Sequence, residues 1–270
     1  MDSHTGGFEM KEIIVLDWTF TPPDYFEEPI SIVKDKYEMT IENGKVEARI
    51  EAKYFDGEPD LRMKFHESLY SRFLGAQILN KKPFELSKPS MSRIHADGRR
   101  NHYIFPESIP LTMTVGPADV IITDPSGKVI RDSRKERTEK RKRLAELVEK
   151  HRAQSPVLRS LLNSWSSSIN KPDNELVYLY EIRESLSREF GGKKKTLRIL
   201  KISNKSWDKS WSRLGHLANE EPLKQGRHRG KHVDTLRDAT EDELSEARVI
   251  AQKLIEKYLE YLDDTQNHNK

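Results

Sequence analysis

The chain has 270 residues, enough for one or two domains, and charged residues (34%) are nearly as frequent as hydrophobic ones (35%). The absence of cysteine excludes disulfides, thiolate metal sites and a cysteine nucleophile. No apolar run reaches the roughly 20 residues of a membrane span, and residues 1–7 lack the basic and apolar regions of a secretory signal. We therefore expect a cytoplasmic protein that has no membrane partner.

The net charge of +3 is divided unevenly along the chain. Residues 1–133 carry 17 Lys and Arg against 22 Asp and Glu, whereas residues 134–270 carry 30 against 22. A basic half is typical of proteins that bind a polyanion, but such an excess can also serve solubility alone. The charge distribution therefore favours residues 134–270 as the location of a binding site, but it does not identify the residues of that site.

The segment from Tyr37 to Tyr54 predicts a β-hairpin. Asn43-Gly44 supplies the two positive-φ residues of a type I′ turn. If Glu42 pairs with Lys45, the apolar residues of both strands share one face: Tyr37, Met39, Ile41, Val46, Ala48 and Ile50. Turn chemistry and hydrophobic pattern thus predict the same register.

The rest of the first half favours β-structure. Five further strands are predicted: Glu12–Phe20, Leu61–Phe65, Ile109–Val115, Asp119–Thr123 and Lys128–Arg131. The last two flank a turn at 124–127, residues 80–102 indicate a loop, and residues 67–79 fit a helix or a strand. We expect a disordered segment over 1–10, followed by a small β-sandwich or barrel-like domain over 11–133.

The second half favours helices. Residues 134–154 predict a basic linker helix, and Ser155-Pro156 predicts the start of a helix through Ile169. Another helix spans Glu175–Phe190, ends at Gly191-Gly192 and precedes three lysines at 193–195, and residues 197–202 suggest a short helix. A capping box at Thr240–Glu243 predicts the last helix. The overall prediction is an α+β chain with a helical bundle over 155–265 and a disordered tail over 266–270.

A cation-rich segment lies within the predicted bundle. Residues 222–237 contain one acidic residue, Asp234, and five basic ones: Lys224, Arg227, Arg229, Lys231 and Arg237. These charges repel one another unless water, anions or carboxylates surround them. The positive charges of the segment can be neutralised by carboxylates of the same chain, such as those of Glu181, Glu184, Glu220 and Glu221.

In the structural interpretation, the basic segment merely pairs with such carboxylates. Three functional interpretations compete with it. His228 and His232, four residues apart, have a spacing that suits a metal, but the positive field around them disfavours a cation. The cluster also suits a non-catalytic nucleic-acid contact, with Trp207, Trp211 or Tyr180 stacking on bases. In the third interpretation, histidine moves protons and arginine stabilises the charge on phosphorus while the RNA 2′-hydroxyl attacks, so no metal or cofactor is needed.

The hexapeptide Arg227-His-Arg-Gly-Lys-His232 has the form Arg-x4-His and lies between a helical hairpin and a long final helix. In this it resembles the HEPN superfamily, and a β-rich module joined to a C-terminal HEPN-like bundle also resembles bacterial anti-phage proteins of the abortive-infection type. The resemblance implies a metal-independent endoribonuclease, a toxin or defence protein that forms a homodimer through its helical domain and acts with a defence-system partner.

The resemblance also implies a role for each site residue. Arg227 would hold the scissile phosphate, His232 would handle protons and His228 would be the polar second position. The other cations of the segment, Lys224, Arg229, Lys231 and Arg237, would contact RNA. The alternative is an inactive HEPN-like bundle that binds nucleic acid or assembles with a protein.

Overall fold

The computed structural model describes residues 11–103, 121–123, 129–231 and 233–268. These form an α+β chain, as predicted, with antiparallel strands in the first half and helices in the second. Their contacts divide into two compact units, one within Met1–Tyr70 and Phe84–Thr138 and the other within Ser71–Pro83 and Glu139–Lys270. Residues 71–83 therefore belong with the helical unit rather than with the β-rich domain predicted over 11–133.

Seven strands of the first unit form one antiparallel sheet. They are β1 (Ile13–Thr21), β2 (Ile30–Lys34), β3 (Tyr37–Glu42), β4 (Lys45–Glu51), β5 (Glu85–Leu86), β6 (Ser90–Ile94) and β7 (Arg100–Tyr103). Their order is β2-β3-β4-β1-β6-β7, and β5 also pairs with β1. A separate two-stranded sheet pairs β8 (Ile121–Thr123) antiparallel with β9 (Val129–Asp132), close to the two strands predicted there. The predicted strand over 109–115 and the turn over 124–127 lie outside the described residues.

The β3–β4 hairpin has the predicted register. Glu42 pairs with Lys45 and Tyr37 pairs with Ile50, so every intervening pair also agrees. Asn43 and Gly44 have φ of 48° and 77°, as a type I′ turn requires. Alternation places the apolar side chains of both strands in the core and the charged ones outside.

The prediction of a strand over Leu61–Phe65 was wrong, because this segment begins a long helix. Helix α1 (Ala52–Asp56) is followed by α2 (Leu61–Asn80), which also includes the undecided residues 67–79. Buried side chains recur every four residues at Leu61, Phe65, Leu69 and Phe73. The Phe65 ring packs edge-on against the Tyr37 ring, with 4.7 Å between the ring centres, and the Trp18 indole donates a hydrogen bond to His66 Nδ1 at 3.2 Å. The start of α2 therefore lies on the sheet.

The prediction of a loop over residues 80–102 was also wrong, because β5, β6 and β7 lie there. Strand β6 pairs with the central strand β1 along five residues, from Ile13 opposite Ile94 to Asp17 opposite Ser90. The prolines and the glycine that favoured a loop stand before or between these short strands rather than within them.

The second unit is helical. Its elements are the end of α2 and of α3 (Ser133–His151), then α4 (Pro156–Asn170), α5 (Glu175–Phe190), α6 (Lys193–Ile199), α7 (Lys205–Asn219) and α8 (Glu241–His268). Helices α4, α5 and α8 pack against one another. Ser155 caps α4 as predicted, because its hydroxyl accepts from the Leu158 amide at 3.1 Å. Helix α8 extends three residues beyond the predicted end of the bundle.

Helix α3 is more than the solvated linker predicted over 134–154. Leu144, Ala145, Leu147 and Val148 are buried, so its C-terminal half belongs to the core of the helical unit. Helix α2 approaches it closely at Gly75, where an added Cβ would lie 2.6 Å from the Cα of Ala145 and 2.8 Å from the Leu144 carbonyl. The absence of a side chain at Gly75 therefore permits this helix contact.

We predict that Gly75→Ala destabilises the helical unit. The obstructing atoms belong to the α3 backbone, which cannot move aside as a flexible side chain does. Overpacking of this kind costs about 1–3 kcal/mol. Urea unfolding followed by circular dichroism measures the loss, with Gly230→Ala as a glycine control, because a Cβ at Gly230 meets nothing within 4 Å. A Gly75→Ala protein as stable as the wild type would contradict the close approach.

Two features of the helical unit differ from the prediction. Helix α6 begins at Lys193, four residues before the short helix predicted over 197–202, so the three lysines that follow the end of α5 lie in its first turn; Gly191 (φ 74°) and Gly192 (φ 108°) separate the two helices. Helix α7 was not predicted at all. Its buried residues Trp211, Leu214 and Ala218 follow a helical period, and the Asn204 side chain caps its first turn by accepting from the Trp207 amide.

Candidate active site

The segment between α7 and α8 is pinned at both ends by backbone hydrogen bonds. The Lys224 amide donates to the Arg237 carbonyl, and the Arg237 amide donates to the Pro222 carbonyl, both at 3.0 Å. The Arg227 amide donates to the Ala218 carbonyl at the end of α7 (2.8 Å). Gly226 allows this approach, because a Cβ there would lie 3.1 Å from the same carbonyl. The backbone of Arg227 is therefore fixed against the bundle.

The start of α8 has the predicted capping box. The Glu243 amide donates to Thr240 Oγ1 (3.2 Å), and the Thr240 amide donates to Glu243 Oε2 (2.8 Å). Arg237 adds a bidentate ion pair to the same carboxylate, at 2.8 and 2.7 Å. The Arg237 guanidinium, together with the donors of Thr240, lowers the pKa of Glu243 to about 2.

This arrangement predicts a pH dependence of stability. The pKa of Glu243 is lower in the folded protein (about 2) than its ordinary value of 4.5, so its carboxylate stabilises the fold above pH 4.5. That contribution disappears as the pH falls from 4.5 towards 2. We expect Glu243→Gln to lower the free energy of unfolding at pH 7 and to match the wild type near pH 2. Urea titrations across this range measure the difference, and a difference independent of pH would contradict the assignment.

Three of the cations predicted to contact RNA form ion pairs or hydrogen bonds with other residues of the protein. Lys224 pairs with Asp238 at 2.9 Å, and Arg237 pairs with Glu243. Arg229 donates to the carbonyls of Gly226 and Asp173 and to the Asn174 side chain. Their direct role is to hold the segment in place. Glu221 contributes to this pairing, since it lies 3.9 Å from Arg237.

Arg227 and Lys231 differ from those three cations. Both are exposed, and neither has a carboxylate partner among the residues that the structure describes. His228 is also exposed, and its carbonyl accepts from the Lys231 amide in the 3₁₀ turn Arg229–Lys231. His232, the predicted proton-transfer residue, lies outside the described residues.

The Arg227 guanidinium lies 4.9 Å from the centre of the Tyr180 ring. Arg183 also contacts this ring, at 4.3 Å, and donates to the Tyr180 hydroxyl and to the Trp211 carbonyl, both at 2.9 Å. Tyr180 is only 7% exposed, so its ring is a fixed support for two cations. Gly215 leaves room for Arg183, because an added Cβ would lie 2.0 Å from its Nη1.

Arg227 also lines a groove of about 470 Å³ beside α4 and α5. The polar residues of the groove are three serines (Ser160, Ser164 and Ser185), three glutamates (Glu181, Glu184 and Glu189) and two arginines (Arg188 and Arg227). Its two arginines can bind an anionic group, whereas the glutamates oppose a long polyanion along the whole groove. The arrangement therefore suits one phosphate near Arg227 better than a continuous track of phosphates.

Sequence reasoning missed Arg188 and Arg183 as members of this region. Arg183 lies three residues after Tyr180 on α5, which is close to one helical turn. That spacing was the available signal. It gave no indication that Arg227, from a distant segment, would contact the same aromatic ring.

No metal centre is visible in the described part of the chain, where no group of three or more histidine, aspartate or glutamate residues is placed to hold an ion. Of the helices described, none is long and apolar enough to cross a membrane.

Comparison with known proteins finds no matching family model, no matching curated protein and no matching solved structure.

Proposed function

We propose that this protein is a metal-independent endoribonuclease of the HEPN type, in which Arg227 holds the scissile phosphate and His232 transfers protons. The observation that carries the proposal is the state of Arg227. Its backbone is fixed against α7, its guanidinium is supported by Tyr180, and in the described residues no carboxylate neutralises it. An arginine held in this way is prepared to bind an anion at the edge of the groove.

The proposed reaction is cleavage of RNA by its own 2′-hydroxyl. A base, assigned to His232, takes the proton of that hydroxyl while the 2′-oxygen attacks the adjacent phosphorus. The bond to the 5′-oxygen breaks, and a proton returns to that oxygen, which leaves a 2′,3′-cyclic phosphate and a 5′-hydroxyl. Arg227 stabilises the charge that builds up on the non-bridging oxygens.

The remaining parts of the proposal follow from the HEPN resemblance. They are dimerisation through the helical unit, with the two Arg and His pairs facing one cleft, and a role as a toxin or anti-phage protein with a defence-system partner. His228 would be the polar residue beside Arg227. Its exposure and its position in the turn before Lys231 are compatible with contact to the substrate.

The experiment that tests this function measures RNA cleavage by the purified full chain in excess EDTA. We expect cleavage at the same rate in EDTA and in magnesium, because no step uses a metal-bound water or a Lewis acid. A preparation of the Arg227→Ala protein, purified in parallel, controls for contaminating nucleases. Cleavage that stops in EDTA would contradict the proposal, as would intact RNA in both conditions.

A further inference from the structure

A second basic region lies away from the Arg-x4-His segment, between α6 and α7. There the two helices and their connection surround an open hollow of about 700 Å³. Helix α6 contributes Lys194, Lys195 and Arg198, and α7 contributes Lys205 and Lys209. All five side chains are exposed.

The local sequence explains why these cations share the hollow. On α6, the positions 194, 195 and 198 lie on one face of the helix, while Thr196 and Leu197 on the opposite side are buried. On α7, Lys205 and Lys209 are four residues apart and therefore also share a face. The buried residues Leu200 and Ile202 fix the connection between the helices.

The charge of the hollow is uncompensated. Asp208 is the acidic residue in its lining, and Lys193, outside the lining, already pairs with it at 2.8 Å. Lys193 also donates to Ser212 Oγ at 3.0 Å, which holds it in place. In the described part of the chain the five lining cations form no ion pair. An anion with several charges that entered the hollow would relieve their mutual repulsion.

The shape and composition of the hollow favour a nucleic-acid backbone. Leu197 is the apolar member of the lining and is buried, so no exposed apolar side chain is available there to insert into a bilayer. Five cations on two helices exceed what one phosphate needs and suit successive phosphodiesters. We propose that the α6–α7 hollow binds the phosphates of a single-stranded nucleic acid, at a site separate from the Arg227 groove.

This proposal does not depend on catalysis, and its test excludes catalysis. A fluorescent single-stranded RNA with 2′-O-methyl groups at every position cannot be cleaved through its 2′-oxygens, so anisotropy measures binding alone. The variant Lys194→Gln/Lys195→Gln/Arg198→Gln removes three lining charges. The matched control Lys142→Gln/Arg143→Gln/Lys253→Gln removes three exposed charges elsewhere in the same unit.

We expect the hollow variant to bind at least about tenfold more weakly than the control variant, although both have the same net charge. Its slope of log affinity against log salt should be less steep by about 2, since each contact to a single strand contributes about 0.7. Equal weakening of the two triple variants would overturn the proposal, as would no binding by the wild type. Anionic vesicles that displace the RNA and themselves depend on the three lining cations would identify a membrane site instead.

Discussion

Arg227→Ala and His232→Ala are each expected to slow RNA cleavage by about 10²–10³-fold or more. The loss of one group that stabilises charge in a transition state has an effect of this size, and so does the loss of a general base. Single-turnover rates with excess protein measure the chemical step directly. The double variant should be little slower than the slower single variant, because the two residues act on the same step.

Arg227 also permits a graded test. Arg227→Lys keeps the charge but loses the planar, two-pronged donor, so we expect a rate between those of the wild type and Arg227→Ala. Arg99→Ala is the matched control, since its side chain is 78% exposed and pairs only with Asp97 in the described residues. Wild-type cleavage by Arg227→Ala, with unchanged thermal unfolding, would remove Arg227 from the proposed mechanism.

Glu175→Ala is expected to have the largest effect on stability. The Glu175 side chain is 6% exposed and accepts two hydrogen bonds from Arg248, at 2.5 and 2.8 Å, which join α5 to α8. The Arg248 side chain is only 26% exposed, and Glu175→Ala leaves its guanidinium without its main partner. Breaking a buried pair costs about 3–5 kcal/mol, and we expect a value near 3 because Glu241 still pairs with Arg248.

Two further variants separate the ion pair from the volume of the side chains. Glu241 is the exposed partner of Arg248, and its own side chain is 75% exposed. Glu241→Ala should therefore lower the free energy of unfolding by less than about 1 kcal/mol. Glu175→Leu/Arg248→Met replaces the buried pair with apolar groups and should be much closer to the wild type than Glu175→Ala. Urea unfolding measures all three. A loss for Glu175→Ala no greater than that for Glu241→Ala would contradict the account.

Some elements could be predicted because short-range chemistry determines them. The β3–β4 register follows from the turn residues Asn43-Gly44 and the alternation around them, and Thr240 with Glu243 defines the start of α8. Both signals lie within a few residues. No distant part of the chain has to be known for either prediction.

Other elements depend on longer patterns or on distant partners. Leu61–Phe65 alternates like a strand over five residues, and only the repeat through Leu69 and Phe73 identifies a helix. Strand β6 has few apolar residues, and its pairing with β1 decides its conformation. Helix α7 was missed because its serines and lysines obscure the apolar stripe of Trp211, Leu214 and Ala218.

The candidate site shows the same limit. Sequence alone identified a cluster of cations, but it could not separate those that pair within the protein from those that do not. Arg229 binds Asp173 and Asn174, more than 50 residues away, whereas Arg227 rests on Tyr180. Charge pattern located the segment, and only the fold distinguishes the roles of its members.

The most direct test of the proposed function is the chemistry of the product ends. An RNA oligonucleotide is incubated with the full chain in EDTA, and the fragments are analysed by mass spectrometry. Attack by the 2′-hydroxyl predicts a 2′,3′-cyclic phosphate on one fragment and a 5′-hydroxyl on the other. Fragments with a 3′-hydroxyl and a 5′-phosphate, which arise when water attacks the phosphorus and the 3′-oxygen leaves, would contradict it.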